Sequence, residues 1–70
     1  MNQSVSFVDK EINTELFTER NGIPVPRINE MVEYEGKWYK VRQVYYVYNK
    51  LKKDEMYCLI EVNLERCNFE

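Results

Sequence analysis

An alternation of apolar and polar side chains between Met56 and Glu65 is the feature that most constrains the fold of this chain. Every even-numbered residue in this stretch is apolar, and the odd-numbered residues turn polar from Glu61 onward. A period of two is typical of a β-strand with one buried face and a second, partly exposed face. The stretch therefore predicts a strand of a sheet that is covered on one side.

Two further strands are predicted upstream, over residues 31–35 and 37–49. These stretches are rich in Tyr, Val and Trp, which suit a pleated surface. They meet at Glu35-Gly36, where the glycine can supply the positive φ of a tight hairpin turn. We expect the Lys-rich segment Asn49–Glu55 to form the tip of the last hairpin.

The strand over residues 37–49 changes phase part-way along. Its strongest apolar side chains fall on two faces of a regular strand: Tyr39 and Val41 on one, and Val44, Tyr46 and Tyr48 on the other. A β-bulge near Arg42-Gln43 would bring all five to the same face and bend the strand. We therefore predict a single mostly-β domain over residues 1–70, a small curled antiparallel sheet or barrel of about five strands, SH3-like or similar.

The first twenty residues are open to two interpretations. Val5 and Phe7 alternate, and Ile12, Thr14 and Leu16 alternate again, which favours an N-terminal hairpin; a short helix over residues 10–20 is the alternative. Two prolines exclude central strand or helix over residues 22–26. We expect an extended crossing loop there, with Ile23 and Val25 as plugs for one end of the barrel.

The sequence shows no arrangement of residues that is typical of catalysis or metal binding. The chain has no His and two Cys, so it cannot build a four-ligand zinc site, and its serines have no activating base. No Gly-rich phosphate loop, signal peptide or membrane span is present in the sequence. We predict a non-enzymatic, cytoplasmic protein without cofactor or metal, in which Cys58 is a free core thiol and Cys67 a free thiol in the tail.

Charge is segregated along the chain. Residues 36–53 hold six basic and no acidic residues, whereas both flanking segments are acidic. Aromatic side chains are interleaved with these cations, and the bulge would turn Trp38, Lys40 and Arg42 outward, followed by Tyr45 and Val47. The candidate contact residues are Lys37, Trp38, Lys40, Arg42, Tyr45, Lys50, Lys52 and Lys53.

Stacking rings beside cations suit single-stranded nucleic acid. The alternative is structural: Tyr39, Tyr46 and Tyr48 fill the core, Trp38 caps one end of it, and the lysines keep an edge strand soluble. The acidic flanks argue against a polyanion unless they face elsewhere, which is the arrangement that we expect.

The stretch VPRINEMVEYEGKWYKVRQVYYVY resembles a loose group of very short proteins encoded by bacteriophages and prophages. These share a P-R-x-G-E-like turn and a G-x-x-Y-x-V-x-x-V core. Residues 26–30 match the turn with Asn29 in place of Gly, a residue that also tolerates positive φ; Gly36, Tyr39, Val41 and Val44 match the core. The resemblance implies a small β-barrel and no defined activity, since members of the group are mostly uncharacterised. Small phage proteins without active sites often act stoichiometrically on host machinery.

Three functions follow as hypotheses. The first is an interaction protein that binds and inhibits or redirects a host protein, such as a defence component. The second is a small barrel that binds single-stranded nucleic acid. The third is an oligomer that sequesters a nucleotide. Self-association as a homodimer is expected in addition, because an open strand edge and the apolar residues Tyr57 and Leu59 need covering.

Overall fold

The computed structural model describes residues 2–20, 24–52 and 55–67, and the regular elements in these ranges are five β-strands with no helix. The strands are β1 (Asn2–Asp9), β2 (Thr14–Glu19), β3 (Met31–Tyr34), β4 (Lys37–Lys52) and β5 (Glu55–Cys67). They form one sheet in the order β2-β1-β5-β4-β3, which curls through 206° into a half-barrel. The predicted fold class, a small curled sheet of about five strands, is confirmed.

One neighbouring pair departs from the antiparallel prediction. β1 and β5 run parallel, with Val5 opposite Ile60 and Phe7 opposite Val62. The three other pairs are antiparallel. A period of two is the same in parallel and antiparallel strands, so the side-chain pattern of β5 predicts its buried face and not the direction of its neighbour.

The predicted bulge in the long strand is confirmed at Arg42. Val41 lies opposite Leu64 and Gln43 lies opposite Asn63, which leaves Arg42 as an extra residue on β4. The insertion shifts the phase of β4, so that the residues before and after it turn their apolar side chains to the same face. We call this the inner face and the opposite one the outer face.

The inner face holds the core. Eight apolar residues are buried on it: Val5, Phe7, Tyr39, Val41, Cys58, Ile60, Val62 and Leu64. Cys58 is thus a buried free thiol, as predicted, and Cys67 is a half-buried free thiol.

Aromatic rings join the two edge strands across the mouth of the half-barrel. The ring of Phe17 on β2 stacks on Phe7 at 4.4 Å and on Tyr34 of β3 at 4.5 Å between centroids. The Tyr34 hydroxyl donates to the carbonyl oxygen of Leu16 over 3.4 Å. A second bulge lies in β2, because Leu16 is skipped in the β1–β2 register. As a result, the neighbouring residues Leu16 and Phe17 both pack against the core.

The N-terminal hairpin is confirmed, and the helix over residues 10–20 is wrong. The chain turns over residues 10–13, with Asn13 at a φ of 53°, so Ile12 is an exposed turn residue and not part of β2. Residues 24–27 have no regular structure, and Val25 packs against the core as expected. Gly22 and Ile23 lie outside the described residues.

The turns before and after β3 use the backbone conformations that the sequence indicated. Asn29 has a φ of 76°, and Glu35 and Gly36 have φ values of 50° and 78°. Two positive values are the requirement of a two-residue type I′ hairpin turn. The last hairpin differs from the prediction: β4 continues to Lys52 and β5 begins at Glu55, so the segment expected as a tip is mostly strand.

A buried carboxylate fastens the end of β1 to the end of β5. Asp9 is fully buried and accepts a hydrogen bond from Arg66 Nε over 2.7 Å and one from the Glu11 backbone N–H over 3.0 Å. Burial alone raises the pKa of Asp9, but these hydrogen bonds and the charge of Arg66 outweigh it, so the pKa lies below its ordinary value of 3.8. Asp9 therefore stabilises the fold in its charged form.

Replacing this carboxylate by Asp9→Asn should lower the free energy of unfolding at pH 7 by about 1.5–3 kcal/mol, the contribution of a hydrogen bond to a charged group. Because the pKa is lower in the folded state, the contribution is present above the ordinary value of 3.8 and is lost as the pH falls through the folded-state pKa. The difference between wild type and variant should therefore shrink under acid, as measured by urea denaturation at several pH values.

Glu11→Gln is the matched control for Asp9→Asn. Glu11 lies 3.8 Å from the same Arg66 Nε but is half-exposed, so its removal should change stability by less than about 1 kcal/mol. A pH-independent difference for Asp9→Asn would contradict the role assigned to the charge.

Candidate functional site on the outer face of β4

The bulge at Arg42 decides which side chains of β4 reach the outer face. Before it, Trp38 and Lys40 alternate with the buried residues Tyr39 and Val41. After it, Tyr45 and Val47 lie opposite Glu61 and Leu59 of β5, whose even-numbered neighbours are buried. The outward direction predicted for Trp38, Lys40, Tyr45 and Val47 agrees with this register.

Four large apolar side chains on the outer face are exposed to solvent. Trp38 is 40% exposed and Tyr45 and Val47 are each 44% exposed. Met31 of β3 lies opposite Lys40 and is 39% exposed. Scattered apolar residues are normal on a protein surface, but several on one sheet face indicate a contact surface.

Acidic side chains lie among the cations of this face. Glu65 is opposite Lys40, and its Oε2 forms a salt bridge with Arg42 Nε at 3.0 Å. Glu61 lies opposite Tyr45, and Glu33 of β3 lies opposite Trp38. The expectation that the acidic flanks face elsewhere is wrong for these residues, because the same alternation that buries the even positions of β5 turns Glu61 and Glu65 outward.

The structure brings together only part of the predicted contact set. Trp38, Lys40, Arg42 and Tyr45 lie around the bulge, as described above. Lys37 is at the start of β4 opposite Tyr34, whereas Lys50 is opposite Met56, about 40 Å away at the strand rise of roughly 3.3 Å per residue. Lys50 also has the phase of the inner face. Lys52 pairs with Glu55 at the far end of β4, and Lys53 lies outside the described residues.

A groove of about 490 Å³ runs along the outer face beside the bulge. It is lined by Lys10, Arg42, Gln43, Tyr45, Val47, Leu59, Glu61 and Asn63. Of these residues, Lys10 reaches the groove from the β1–β2 turn, where its backbone N–H donates to the carbonyl of Leu64 over 3.1 Å. The position of Lys10 could not be predicted from the sequence, because no local sequence pattern indicates that β1 pairs with β5.

Asn63 is the unusual member of the groove lining. It is 5% exposed, and its Oδ1 is buried without a hydrogen-bond partner in the described part of the chain. Buried polar atoms are nearly always paired, because leaving one unsatisfied costs about 1–3 kcal/mol. Its polarity at an odd position of β5 was visible in the sequence, but its burial was not.

The inner face continues beyond the core and leaves two tyrosines uncovered. Tyr46 is 52% and Tyr48 58% exposed, so the interpretation that Tyr39, Tyr46 and Tyr48 all fill the core is correct only for Tyr39. The reason is the length of the edge strands: β2 pairs with β1 only from Val5 onward, and β3 pairs with β4 only up to Lys40. The nearby Cys58 thiol, together with desolvation, raises the pKa of Tyr48.

Within residues 2–20, 24–52 and 55–67, no cluster of three or more Cys, Asp or Glu side chains is arranged to hold a metal ion. Over the same ranges, no helix has the length and apolar character required to cross a bilayer. Comparisons of the chain with protein-family models, with curated proteins and with solved structures found no match.

Replacing the unpaired amide by Asn63→Val should raise the free energy of unfolding by about 1 kcal/mol, because it removes an unsatisfied buried acceptor and places a β-branched residue in a strand. Urea denaturation measures the change. Gln43→Val, which alters the exposed residue opposite Asn63, should change stability by less than about 0.5 kcal/mol. Destabilisation by Asn63→Val would instead mean that the amide supports the fold.

Proposed function

We propose that this chain is a non-enzymatic interaction protein that binds a larger protein and inhibits or redirects it, and that the outer face of β4 is its contact surface. The observation that carries the proposal is the set of four exposed apolar side chains, Met31, Trp38, Tyr45 and Val47, on one face of a rigid sheet. Trp, Tyr, Met and Arg are the residue types enriched at protein interfaces.

The charges of the outer face favour a protein partner over nucleic acid. Glu33, Glu61 and Glu65 lie beside Trp38, Tyr45 and the cations Lys40 and Arg42. A phosphate backbone that followed β4 would meet these carboxylates as well as the cations, whereas binding to single strands needs a continuous basic groove. A protein surface can match both signs.

The identity of the partner is proposed from the sequence resemblance alone. Very short phage-encoded proteins without active sites act stoichiometrically on host machinery, and a bacterial defence component is the class of target that this implies. Such a role needs a cytoplasmic location in the host and no cofactor.

Capture from bacterial cytosol by the immobilised chain tests the contact surface. Trp38→Ser should weaken capture of a stoichiometric partner by about tenfold or more, because buried aromatic anchors dominate interface energies. Tyr45→Ser should weaken it as well. Quantitative mass spectrometry of the captured proteins measures both effects, and denaturation confirms that each variant folds.

Ile12→Ser is the matched control, because Ile12 is as exposed as these residues but belongs to the β1–β2 turn, not to β3 or β4, and does not line the groove. It should capture the partner as well as wild type does. Equal loss with Ile12→Ser, or recovery of chaperones only, would contradict the proposal. Salt-sensitive binding of a labelled single-stranded oligonucleotide, lost in Trp38→Ser, would instead favour the nucleic-acid alternative.

The groove supports a second candidate, the sequestration of a nucleotide. Lys10 and Arg42 offer cations for a phosphate, and Tyr45 offers a ring for a base. The volume of about 490 Å³ lies within the range of small-ligand sites. A nucleotide that bound there would raise the melting temperature. The absence of any shift across common nucleotides would exclude this candidate.

A further inference from the structure

One edge of β4 is unpaired over most of its length in the described structure. β3 pairs with β4 only over residues 37–40. Next along this edge, Val41 is hydrogen-bonded to the turn before β3. Its N–H donates to the Glu30 carbonyl over 2.9 Å, and its carbonyl accepts from the Asn29 N–H over 2.8 Å. From Gln43 onward, no described strand lies along this side of β4. We call residues 43–49 the free edge.

The free edge lacks the features by which proteins usually protect such a strand. Charged side chains, proline and bulges are the common means. Residues 43–49 contain no charge and no proline, and the irregularities of β4 lie on either side, at Arg42 and between Lys50 and Lys52. A regular, uncharged strand rich in Tyr and Val is a template for the addition of another strand.

We propose that a second copy of this chain adds to the free edge, so that the two β4 strands pair antiparallel about a two-fold axis centred on Tyr46. Tyr45 and Val47 belong to both the free edge and the proposed contact surface, but the inference is argued from the unpaired backbone edge and does not rest on the proposed function.

The sequence of the free edge is complementary to itself in this register. Around Tyr46 opposite Tyr46, the pairs are Tyr45 with Val47, Val44 with Tyr48, and Gln43 with Asn49. Pairs of aromatic residues and of aromatic with β-branched residues are favourable across antiparallel strands, and two facing amides can hydrogen-bond. The two side chains of each pair also lie on the same face of the merged sheet, because successive side chains of a β-strand alternate strictly between its two faces.

Neighbouring registers are less complementary. A two-fold axis at Val47 would set Val44 opposite Lys50 and Tyr45 opposite Asn49. An axis at Tyr45 would set Asn49 opposite Val41, whose backbone is already bound by Asn29 and Glu30, and would leave that end of the free edge unpaired. In the Tyr46 register the like charges Arg42 and Lys50 meet at the ends, where Arg42 is already paired with Glu65.

Pairing in this register also covers the uncovered part of the inner face. The two-fold axis runs perpendicular to the sheet, so the exposed Tyr46 and Tyr48 rings of both copies come together on one side. Tyr45 and Val47 of both copies meet in the same way on the other side. The merged sheet has no free β4 edge left over residues 43–49.

Disulfide trapping tests both the partner and the register. In a Cys67→Ser background, with Cys58 buried in the core, we expect Tyr46→Cys to form a covalent dimer on mild oxidation. The two Cα atoms of a residue on the axis lie about 4.5–5.5 Å apart, within the reach of a disulfide.

Tyr48→Cys is the matched control, since it is equally exposed on the same face two residues away. Its two copies would lie four residues apart along the strands, about 13 Å, which is too far to bridge. A mixture of Gln43→Cys and Asn49→Cys should form the mixed dimer faster than either variant alone forms its own. Non-reducing electrophoresis measures the rate of dimer formation for each variant and for the mixture.

Sedimentation equilibrium supplies the second readout. Wild type under reducing conditions should be a dimer, and Tyr46→Lys should be a folded monomer, because Tyr46 lies outside the core and two lysines would face each other on the axis. A monomeric wild type, or equal cross-linking of Tyr46→Cys and Tyr48→Cys, would overturn the proposal. Aggregates without a preferred disulfide would overturn it as well.

Discussion

The extra residue at Arg42 sets the phase of the longest strand, and most of the molecule follows from that phase. Before Arg42, the odd-numbered residues Tyr39 and Val41 lie on the inner face, and after it the even-numbered residues do. Without the insertion, the apolar side chains of one half of β4 would lie on the outer face. The same residue marks the bend of the sheet, the groove and the start of the free edge.

In the described structure, the two edge strands β2 and β3 are joined by side-chain contacts and not by a ladder of backbone hydrogen bonds. The stack of Phe7, Phe17 and Tyr34 holds β2 against β3 over the mouth of the half-barrel. This arrangement covers the core only where β2 and β3 extend. Because both strands are short, the far part of β4 stands uncovered on its inner face and along one edge. The exposed tyrosines are therefore a consequence of strand length, not of a failure in the alternation of β4.

Much of the fold could be predicted from local patterns. The bulge was visible as a change of phase, the turns as Asn29 and Gly36, and the buried face of β5 as its even-numbered residues. The parallel pairing of β1 with β5 was not visible, because it joins residues more than fifty positions apart and leaves the period of two unchanged. The candidate site was also predictable only in part, because some of its features depend on how distant parts of the chain pair. Trp38, Lys40 and Tyr45 follow from the phase of β4, whereas Lys10 depends on long-range pairing and the exposure of Tyr46 depends on where β2 and β3 end.

The parallel pairing of the first and last strands also constrains the order in which the fold can form. Val5 and Phe7 of β1 supply core residues, but β5, the strand beside them, follows both hairpins in the sequence. The β1–β2 and β3–β4 hairpins can close locally, and neither has a buried face until β5 enters between β1 and β4. We therefore expect the sheet to form in a late step, after the hairpins, when β5 pairs with both β1 and β4.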